Sequence, residues 1–178
     1  MDGDDARPAG EIDSGQLEPR PPGEDDLVRL CKSLNEVGAR YVVIGGFAII
    51  LAGFPRTTGD IDLLVDTTPE NEALVYRALE VLADHAAREL RPGELTKYSV
   101  IRVADEIVVD LMKSACGIEY LEAAKDVVIR ELQGVPIPFA SPRLLWRMKI
   151  HTNREKDRPD LYFLRQLFAE NGEAPPET

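Results

Sequence analysis

The chain has 178 residues, about the length of one domain, and its hydrophobic content of 44% is enough for a folded core. Its net charge of -11 argues against non-specific nucleic-acid binding, because phosphate binding depends on Lys and Arg replacing counterions. The longest apolar run, from Tyr41 to Phe54, is fourteen residues long and interrupted by glycines. It is too short to cross a bilayer, which needs roughly 20 residues, so no membrane association is expected.

The negative charge is concentrated at the N-terminus. Residues 1–26 contain nine acidic residues and two arginines, a net charge of -7, which leaves -4 for the rest of the chain. This segment is also rich in Pro and Gly and nearly free of aliphatic side chains, so it cannot bury enough apolar surface to order itself. It is predicted to be a disordered acidic tail, and residues 172–178 are predicted to be a second disordered tail.

Residues 27–171 are predicted to form one domain in which helices and strands alternate. Apolar spacing, turn residues and helix caps define its elements. In chain order these are helix Leu27–Val37, strand Tyr41–Ile44, helix Phe47–Ala52, strand Ile61–Val65, a helix from Thr68 to about Asp84, a hairpin of Tyr98–Val103 and Ile107–Met112, a helix near Ile118–Ala124, a hairpin of Val127–Leu132 and Val135–Phe139, a helix from Ser141 to about Thr152, and a helix from about Arg158 to Asn171. This order predicts an α/β (α+β) fold, a mixed sheet backed by helices, with a helical pair over residues 141–171.

The two cysteines, Cys31 and Cys116, are far apart and lack the spacing of a zinc site. Reduced, structural cysteines are typical of cytoplasmic proteins. The chain also shows no secretory signal peptide, so a cytoplasmic location is the expectation.

Three aspartates fall in predicted strands that are otherwise rich in Ile, Val and Leu. Asp60 and Asp62 are two residues apart and therefore share one face of their strand. Asp110 lies in a later strand, and all three acids converge if that strand neighbours the one that carries Asp62. Because such clustered charge needs compensation, the pattern predicts a site for two magnesium ions that would clamp a phosphoryl group, with Asp110 as the acceptor of a proton.

A double glycine precedes the first two acids. Gly45 and Gly46 lie between a predicted strand and a predicted helix, where the absence of side chains lets a triphosphate approach the backbone. The following loop contains Arg56, Thr57 and Thr58, whose guanidinium and hydroxyl groups are suited to phosphate oxygens. An exposed loop and a plain strand–helix turn are the alternative interpretations of these residues.

This combination, a double glycine, an Asp-x-Asp pair and a distal aspartate between aliphatic residues, resembles the nucleotidyltransferase superfamily of DNA polymerase β. The run VVIGGFAIILAGFPRTTGDIDLLVD is similar to small bacterial nucleotidyltransferases related to the toxins of abortive-infection systems. The run RMKIHTNREKDRPDLYFL also resembles their C-terminal motif. Gly46 stands where polymerase-like members carry a serine, and a double glycine occurs in the toxin-like branch.

The resemblance implies roles for individual residues. Gly45 and Gly46 would hold the triphosphate, and Asp60, Asp62 and Asp110 would be the metal-binding and catalytic acids. Lys149 would reach the nucleotide from the C-terminal helices. The alternative interpretation is that Lys149 is a solvated helix residue. Asp157 would orient that region. The alternative interpretation is that Asp157 only caps the N-terminus of the last helix.

The predicted function is magnesium-dependent transfer of a nucleoside monophosphate from a nucleoside triphosphate (NTP) such as ATP to a hydroxyl group. The acceptor is left open among a tRNA end, a protein side chain and a small molecule such as an aminoglycoside, and a toxin–antitoxin partner protein is possible. The alternative is a catalytically idle nucleotide-binding or antitoxin-type subunit that acts through a protein partner. The presence of all three acids favours catalysis.

Overall fold

Six strands form a mixed sheet in residues 18–177, the part of the chain that this computed structural model describes. The described residues contain seven α-helices and three 3-10 turns. The helices are α1 Glu24–Val37, α2 Gly45–Leu51, α3 Pro69–Ala78, α4 Glu94–Lys97, α5 Tyr120–Ala123, α6 Pro142–Lys149 and α7 Arg158–Glu170, and the strands are β1 Tyr41–Ile44, β2 Asp60–Val65, β3 Val100–Ala104, β4 Val108–Met112, β5 Ser114–Ala115, β6 Ile118–Glu119, β7 Val127–Leu132 and β8 Val135–Ala140.

The strand order of the main sheet is β3-β4-β2-β1-β8-β7. The pairs β2–β4 and β1–β8 are parallel, and the other neighbouring pairs are antiparallel. β5 and β6 form a separate two-stranded sheet. The predicted mixed sheet backed by helices is therefore confirmed.

Aliphatic side chains on one face of β2 and β4 form part of the core. Ile61 and Leu63 of β2 and Val109 and Leu111 of β4 point to this face and are fully buried. Because side chains alternate along a strand, the acids of β2 and β4 are left on the opposite face. The core packing of one face thus fixes the direction of the acidic side chains on the other.

The first helix begins earlier than predicted. It starts at Glu24 rather than Leu27, because Asp26 accepts a hydrogen bond from the Gly23 backbone N–H at 2.8 Å and caps the first turn. Arg20 forms an ion pair with Asp26 at 2.7 Å. Residues 24–26 of the predicted tail are therefore helical, whereas residues 1–17 lie outside the described part of the chain.

Two other helices end earlier than predicted. α3 ends at Ala78 rather than near Asp84, because the chain bends to bury Leu82 and the Asp84 backbone N–H donates to the side chain of Asp105 at 2.8 Å. α6 ends at Lys149 rather than near Thr152, whose hydroxyl turns back to the Lys149 carbonyl at 3.0 Å. Near Ile118, the predicted helix is instead the short strand β6 followed by the single-turn helix α5.

Cys31 and Cys116 are both free thiols. Burial raises the pKa of the Cys31 thiol to about 12, which is consistent with a structural role. Among the described residues, no helix has both the length and the apolar character needed to span a membrane.

The buried side chain of Asn71 fixes the ends of β1 and β2 relative to each other. Its Oδ1 accepts from the Arg40 backbone N–H at 2.7 Å, and its Nδ2 donates to the carbonyls of Arg40 at 3.0 Å and Asp66 at 2.7 Å. Asn71 is fully buried, and its side chain pairs with three backbone groups of these two segments.

We expect Asn71→Ala to lower the free energy of unfolding by about 2–4 kcal/mol, because it removes three hydrogen bonds that connect the ends of β1 and β2. Urea titration followed by circular dichroism measures this change. The matched control is Asn171→Ala, since Asn171 is exposed after the end of α7. A loss at Asn71 no larger than the loss at Asn171 would contradict the assigned role.

Candidate active site

Three carboxylates converge on one face of the sheet, opposite the face that carries Ile61 and Val109. Asp62 of β2 is directly opposite Asp110 of β4 in the parallel register, and Asp60 lies two residues before Asp62 on the same face. One oxygen of each carboxylate lies within 4.8 Å of the corresponding oxygens of the other two. The sequence expectation that these acids meet is therefore confirmed in geometry, while their roles as ligands stay a prediction.

Burial and mutual repulsion make the cluster costly to ionise. Burial, followed by repulsion from Asp60 and Asp110, raises the pKa of Asp62 to about 7. Burial and the charge of Asp110 also raise the pKa of Asp60 above its ordinary value. Such a cluster is fully ionised near neutral pH only when cations compensate it.

Arg102 is a cation in direct contact with this cluster, and the sequence analysis missed it. It lies on β3 opposite Asp110, with Nε donating to Asp110 Oδ1 at 2.9 Å and Nη2 donating to Oδ2 at 2.8 Å. Nη2 also donates to Asp60 Oδ2 at 3.2 Å. Hydrogen bonding and attraction to Asp110 raise the pKa of Arg102. The available sequence signal was a lone arginine in a strand that forms a hairpin with the strand of Asp110.

The donor set fits a divalent cation. Carboxylate oxygens are the ligands that magnesium prefers, at roughly 2.0–2.1 Å, so two oxygens on one ion are at most about 4.2 Å apart. The separation of up to 4.8 Å among the three carboxylates requires only a small contraction to reach that geometry. Asp60, Asp62 and Asp110 are therefore the residues that would hold the metal.

The double glycine forms the start of α2, which begins at Gly45 rather than at the predicted Phe47, and it lies between the acids and the following loop. A Cβ atom on Gly45 would be 2.0 Å from Asp62 Oδ2, and Gly45 has a φ of 66°, which disfavours other residues. A Cβ atom on Gly46 would be 2.4 Å from Thr58 Oγ1 and 3.2 Å from Arg56 Nη2. The first turn of α2 thus lies against Asp62 on one side and against Thr58 and Arg56 of the loop on the other.

The loop that carries Arg56, Thr57 and Thr58 is attached to α7. Arg56 Nε lies 3.3 Å from Asp160 Oδ1, and Phe54 stacks on Phe163 with ring centroids 5.1 Å apart. Thr58 Oγ1 donates to the Asp60 carbonyl at 3.1 Å. Thr57 is exposed, and its carbonyl accepts from Arg56 Nη1 at 3.4 Å. Arg56 and Thr58 therefore lie beside the glycine turn, whereas no contact places the Thr57 side chain there.

Lys149 is buried rather than solvated. Its side chain is 8% exposed, and Nζ lies 2.9 Å from Asp157 Oδ1 and 3.1 Å from Asp160 Oδ2. Its positive charge also favours ionisation of Asp62 and therefore acts on the acidic cluster. Because Asp160 contacts both Lys149 and Arg56, it connects the C-terminal helices to the loop, a role that its position in the sequence motif did not reveal.

Asp157 orients this region instead of capping a helix. Its side chain makes no capping hydrogen bond to α7. It accepts instead from Lys149, from Thr152 at 2.5 Å and from Arg154 at 2.7 Å. Burial alone would raise the pKa of Asp157, but these hydrogen bonds and charges lower it to about 2. Asp157 is thus ionised at neutral pH and fixes the Lys149 side chain.

Comparison with solved structures identifies the fold as that of nucleotidyltransferases. A lincosamide antibiotic adenylyltransferase with lincomycin bound has a TM-score of 0.57 and 17% identity, with 83% of this chain and 99% of that chain covered. An antigenic nucleotidyltransferase-like protein from Paracoccidioides brasiliensis has a TM-score of 0.52 and 17% identity, with coverage of 83% and 78%. The enzyme ANT(2")-Ia in complex with adenylyl-2"-tobramycin has a TM-score of 0.50 and 16% identity, with coverage of 82% and 89%. Neither known protein families nor curated protein sequences gave a match to this chain.

We expect Gly46→Ala to disrupt the glycine turn, because its methyl group would overlap the Thr58 side chain. Thermal unfolding should show a lower Tm, and the double variant with Thr58→Gly should recover part of the loss. Gly59→Ala is the matched control, since a Cβ atom there meets nothing within 4 Å. Equal effects of the two alanine variants would show that the turn tolerates a side chain.

The metal-free protein should lose stability as the pH rises. The raised pKa of Asp62 means that the folded state holds a proton that the unfolded state releases at about pH 4, so the stabilisation is lost as the pH rises through about 7. In EDTA, the free energy of unfolding should fall by on the order of 2 kcal/mol between about pH 4 and pH 8. Asp62→Asn should remove most of this fall, and an identical pH profile in the variant would contradict the assignment.

Proposed function

We propose that the protein is a magnesium-dependent nucleotidyltransferase that transfers a nucleoside monophosphate from an NTP to a hydroxyl acceptor. The observation that carries this proposal is the contact between Gly45 and Asp62, which brings a turn without side chains against a cluster of three carboxylates. The first feature is suited to phosphate groups, and the second is suited to the cations that accompany them. The nucleotidyltransferase fold supports the same conclusion.

Each part of the site has a task in this reaction. The backbone at Gly45 and Gly46 receives the triphosphate, and the Arg56 guanidinium and Thr58 hydroxyl bind its outer oxygens. Asp60, Asp62 and Asp110 would hold two magnesium ions, and the bound ions would neutralise the phosphate charge and orient the reacting oxygens. Thr57 is the weakest member of the proposed phosphate-binding set, because within residues 18–177 only its carbonyl, and not its side chain, has a hydrogen bond, to Arg56.

The transfer step forms one bond and breaks another. The acceptor oxygen forms a bond to the α-phosphorus. The bond between the α-phosphorus and the oxygen that bridges the α- and β-phosphorus atoms breaks, and pyrophosphate leaves. Asp110 takes the proton of the acceptor hydroxyl, because it is the most buried of the three acids and lies opposite Asp62. Lys149, held by Asp157, adds positive charge on the side of the C-terminal helices and is assigned to the nucleotide phosphates.

Among the acceptor classes, a cationic small molecule fits best. The net charge of -11 favours a positively charged acceptor and disfavours tRNA. Two of the structural neighbours are described with antibiotics, one with lincomycin and one with adenylyl-2"-tobramycin. A protein side chain or a tRNA end, and a role in a toxin–antitoxin pair in the cytoplasm, rest on the resemblance to abortive-infection proteins alone.

One observation favours a second candidate, an idle nucleotide-binding subunit that acts through a protein partner. Both oxygens of Asp110 are hydrogen-bonded to Arg102, so the proposed base is engaged in the structure. A transfer assay separates this candidate from an active enzyme.

We expect the protein to transfer label from α-labelled NTP to a molecule in a small-molecule extract, to tRNA or to protein, with a requirement for Mg2+. Asp60→Asn and Asp62→Asn should each lower the rate by at least about 1000-fold, because they remove ligands of the metal. Parallel assays with fractionated extract identify the acceptor class.

Asp84→Asn is the control for these variants, since Asp84 is an exposed acid outside the cluster, and its rate should equal the wild-type rate. Magnesium-dependent NTP binding without transfer to any fraction would support the idle subunit. The absence of both binding and transfer would rule out the proposed site.

A further inference from the structure

Arg102 takes up the carboxylate oxygens that a metal needs. Its two hydrogen bonds to Asp110 occupy both oxygens of that residue, at 2.9 and 2.8 Å, and a third at 3.2 Å occupies Asp60 Oδ2. An ionised carboxylate has about four lone-pair sites, two on each oxygen, and the bidentate guanidinium engages one on each oxygen of Asp110. A metal that binds Asp110 must therefore share these oxygens with Arg102 or displace it.

The arginine is the most solvent-exposed member of this arrangement. Its side chain is 52% exposed on the edge strand β3, whereas the side chains of Asp110 and Asp60 are 6% and 28% exposed. The acids are fixed by the paired central strands β2 and β4. Displacement of Arg102 into solvent thus moves one long side chain and leaves the sheet unchanged.

We infer that Arg102 is the resident counterion of the acidic cluster and competes with divalent metal for Asp110 and Asp60. This inference rests on the proposed function, because it assigns the metal to the same three acids. Arg102 supplies one positive charge to the metal-free cluster, and its hydrogen bonds to Asp110 oppose the binding of a metal or a proton by that carboxylate. It is therefore a positioning residue that sets the metal affinity of the site.

The test is the affinity of the purified protein for Mn2+ without nucleotide, measured by calorimetry and by electron paramagnetic resonance. Arg102→Gln removes the competitor and should bind Mn2+ at least about tenfold more tightly than wild type, because the bidentate charge-assisted pair no longer opposes the metal. Arg102→Lys keeps the charge but loses the bidentate geometry, so its affinity should lie between those of the wild type and Arg102→Gln.

A general change of charge requires its own control. Lys156 is exposed, forms no ion pair within residues 18–177 and acts on Asp60 and Asp62 only through its charge. Lys156→Gln therefore removes one positive charge without freeing a carboxylate, and it should tighten Mn2+ binding by less than about threefold.

Thermal unfolding provides a second measurement. In EDTA, Arg102→Gln should have a lower Tm than wild type because the three acids lose their counterion, and saturating Mn2+ should raise its Tm by more than it raises that of wild type. This comparison also shows that the variant is folded.

Two results would contradict the proposed competition between Arg102 and the metal. One is an equal gain in Mn2+ affinity for Arg102→Gln and Lys156→Gln, and the other is an unchanged or weaker affinity in Arg102→Gln. The proposed function itself would be contradicted if neither the wild type nor any variant bound Mn2+. It would also be contradicted if Asp62→Asn did not change Mn2+ binding. The two failures are therefore distinguishable in one set of titrations.

Discussion

The parallel pairing of β2 and β4 is the constraint on which the site depends. It sets Asp62 beside Asp110, and strand alternation adds Asp60 on the same face. The opposite face is packed by Ile61 and Val109, which are fully buried, so the acids cannot turn away without disrupting the core. Three neighbouring carboxylates repel one another, and the pKa of Asp62 rises to about 7 as a result of burial and this repulsion. The fold therefore places three acids where bound cations stabilise their ionised forms.

The same cluster is connected to both ends of the proposed nucleotide site. Gly45 approaches Asp62 because it has no side chain, and Gly46 accommodates Thr58 for the same reason. Asp160 of α7 then contacts Arg56 in the loop and Lys149 in α6. The acids, the glycine turn and the C-terminal helices thus form one continuous set of contacts. This continuity explains why the C-terminal helices are part of the site although they lie outside the central sheet strands.

Sequence reasoning located the acids and most strands because their signals are local. The bounds of β1 and β7 match the prediction, since short β-branched runs between turn residues leave little choice. Arg102 was missed because its partner depends on hairpin register. A turn limited to Ala104–Glu106 would set Arg102 opposite Val108, but Asp105 is buried and accepts from the backbone of Asp84 and Ala86, and the strands pair as Arg102 with Asp110. Contacts between distant segments, such as that of Asp84 with Asp105, also end α3 earlier than predicted. These contacts cannot be predicted from a short stretch of sequence.

The central claim is that Asp60, Asp62 and Asp110 together bind the metal that accompanies a nucleotide. A crystal structure of the protein with Mn2+ and a non-hydrolysable NTP analogue, with anomalous diffraction to locate manganese, tests it most directly. The account predicts an anomalous peak ligated by all three carboxylates, triphosphate oxygens at the Gly45–Gly46 backbone, and Arg102 withdrawn from Asp110. Manganese bound elsewhere, or a nucleotide bound away from the acids, would contradict it.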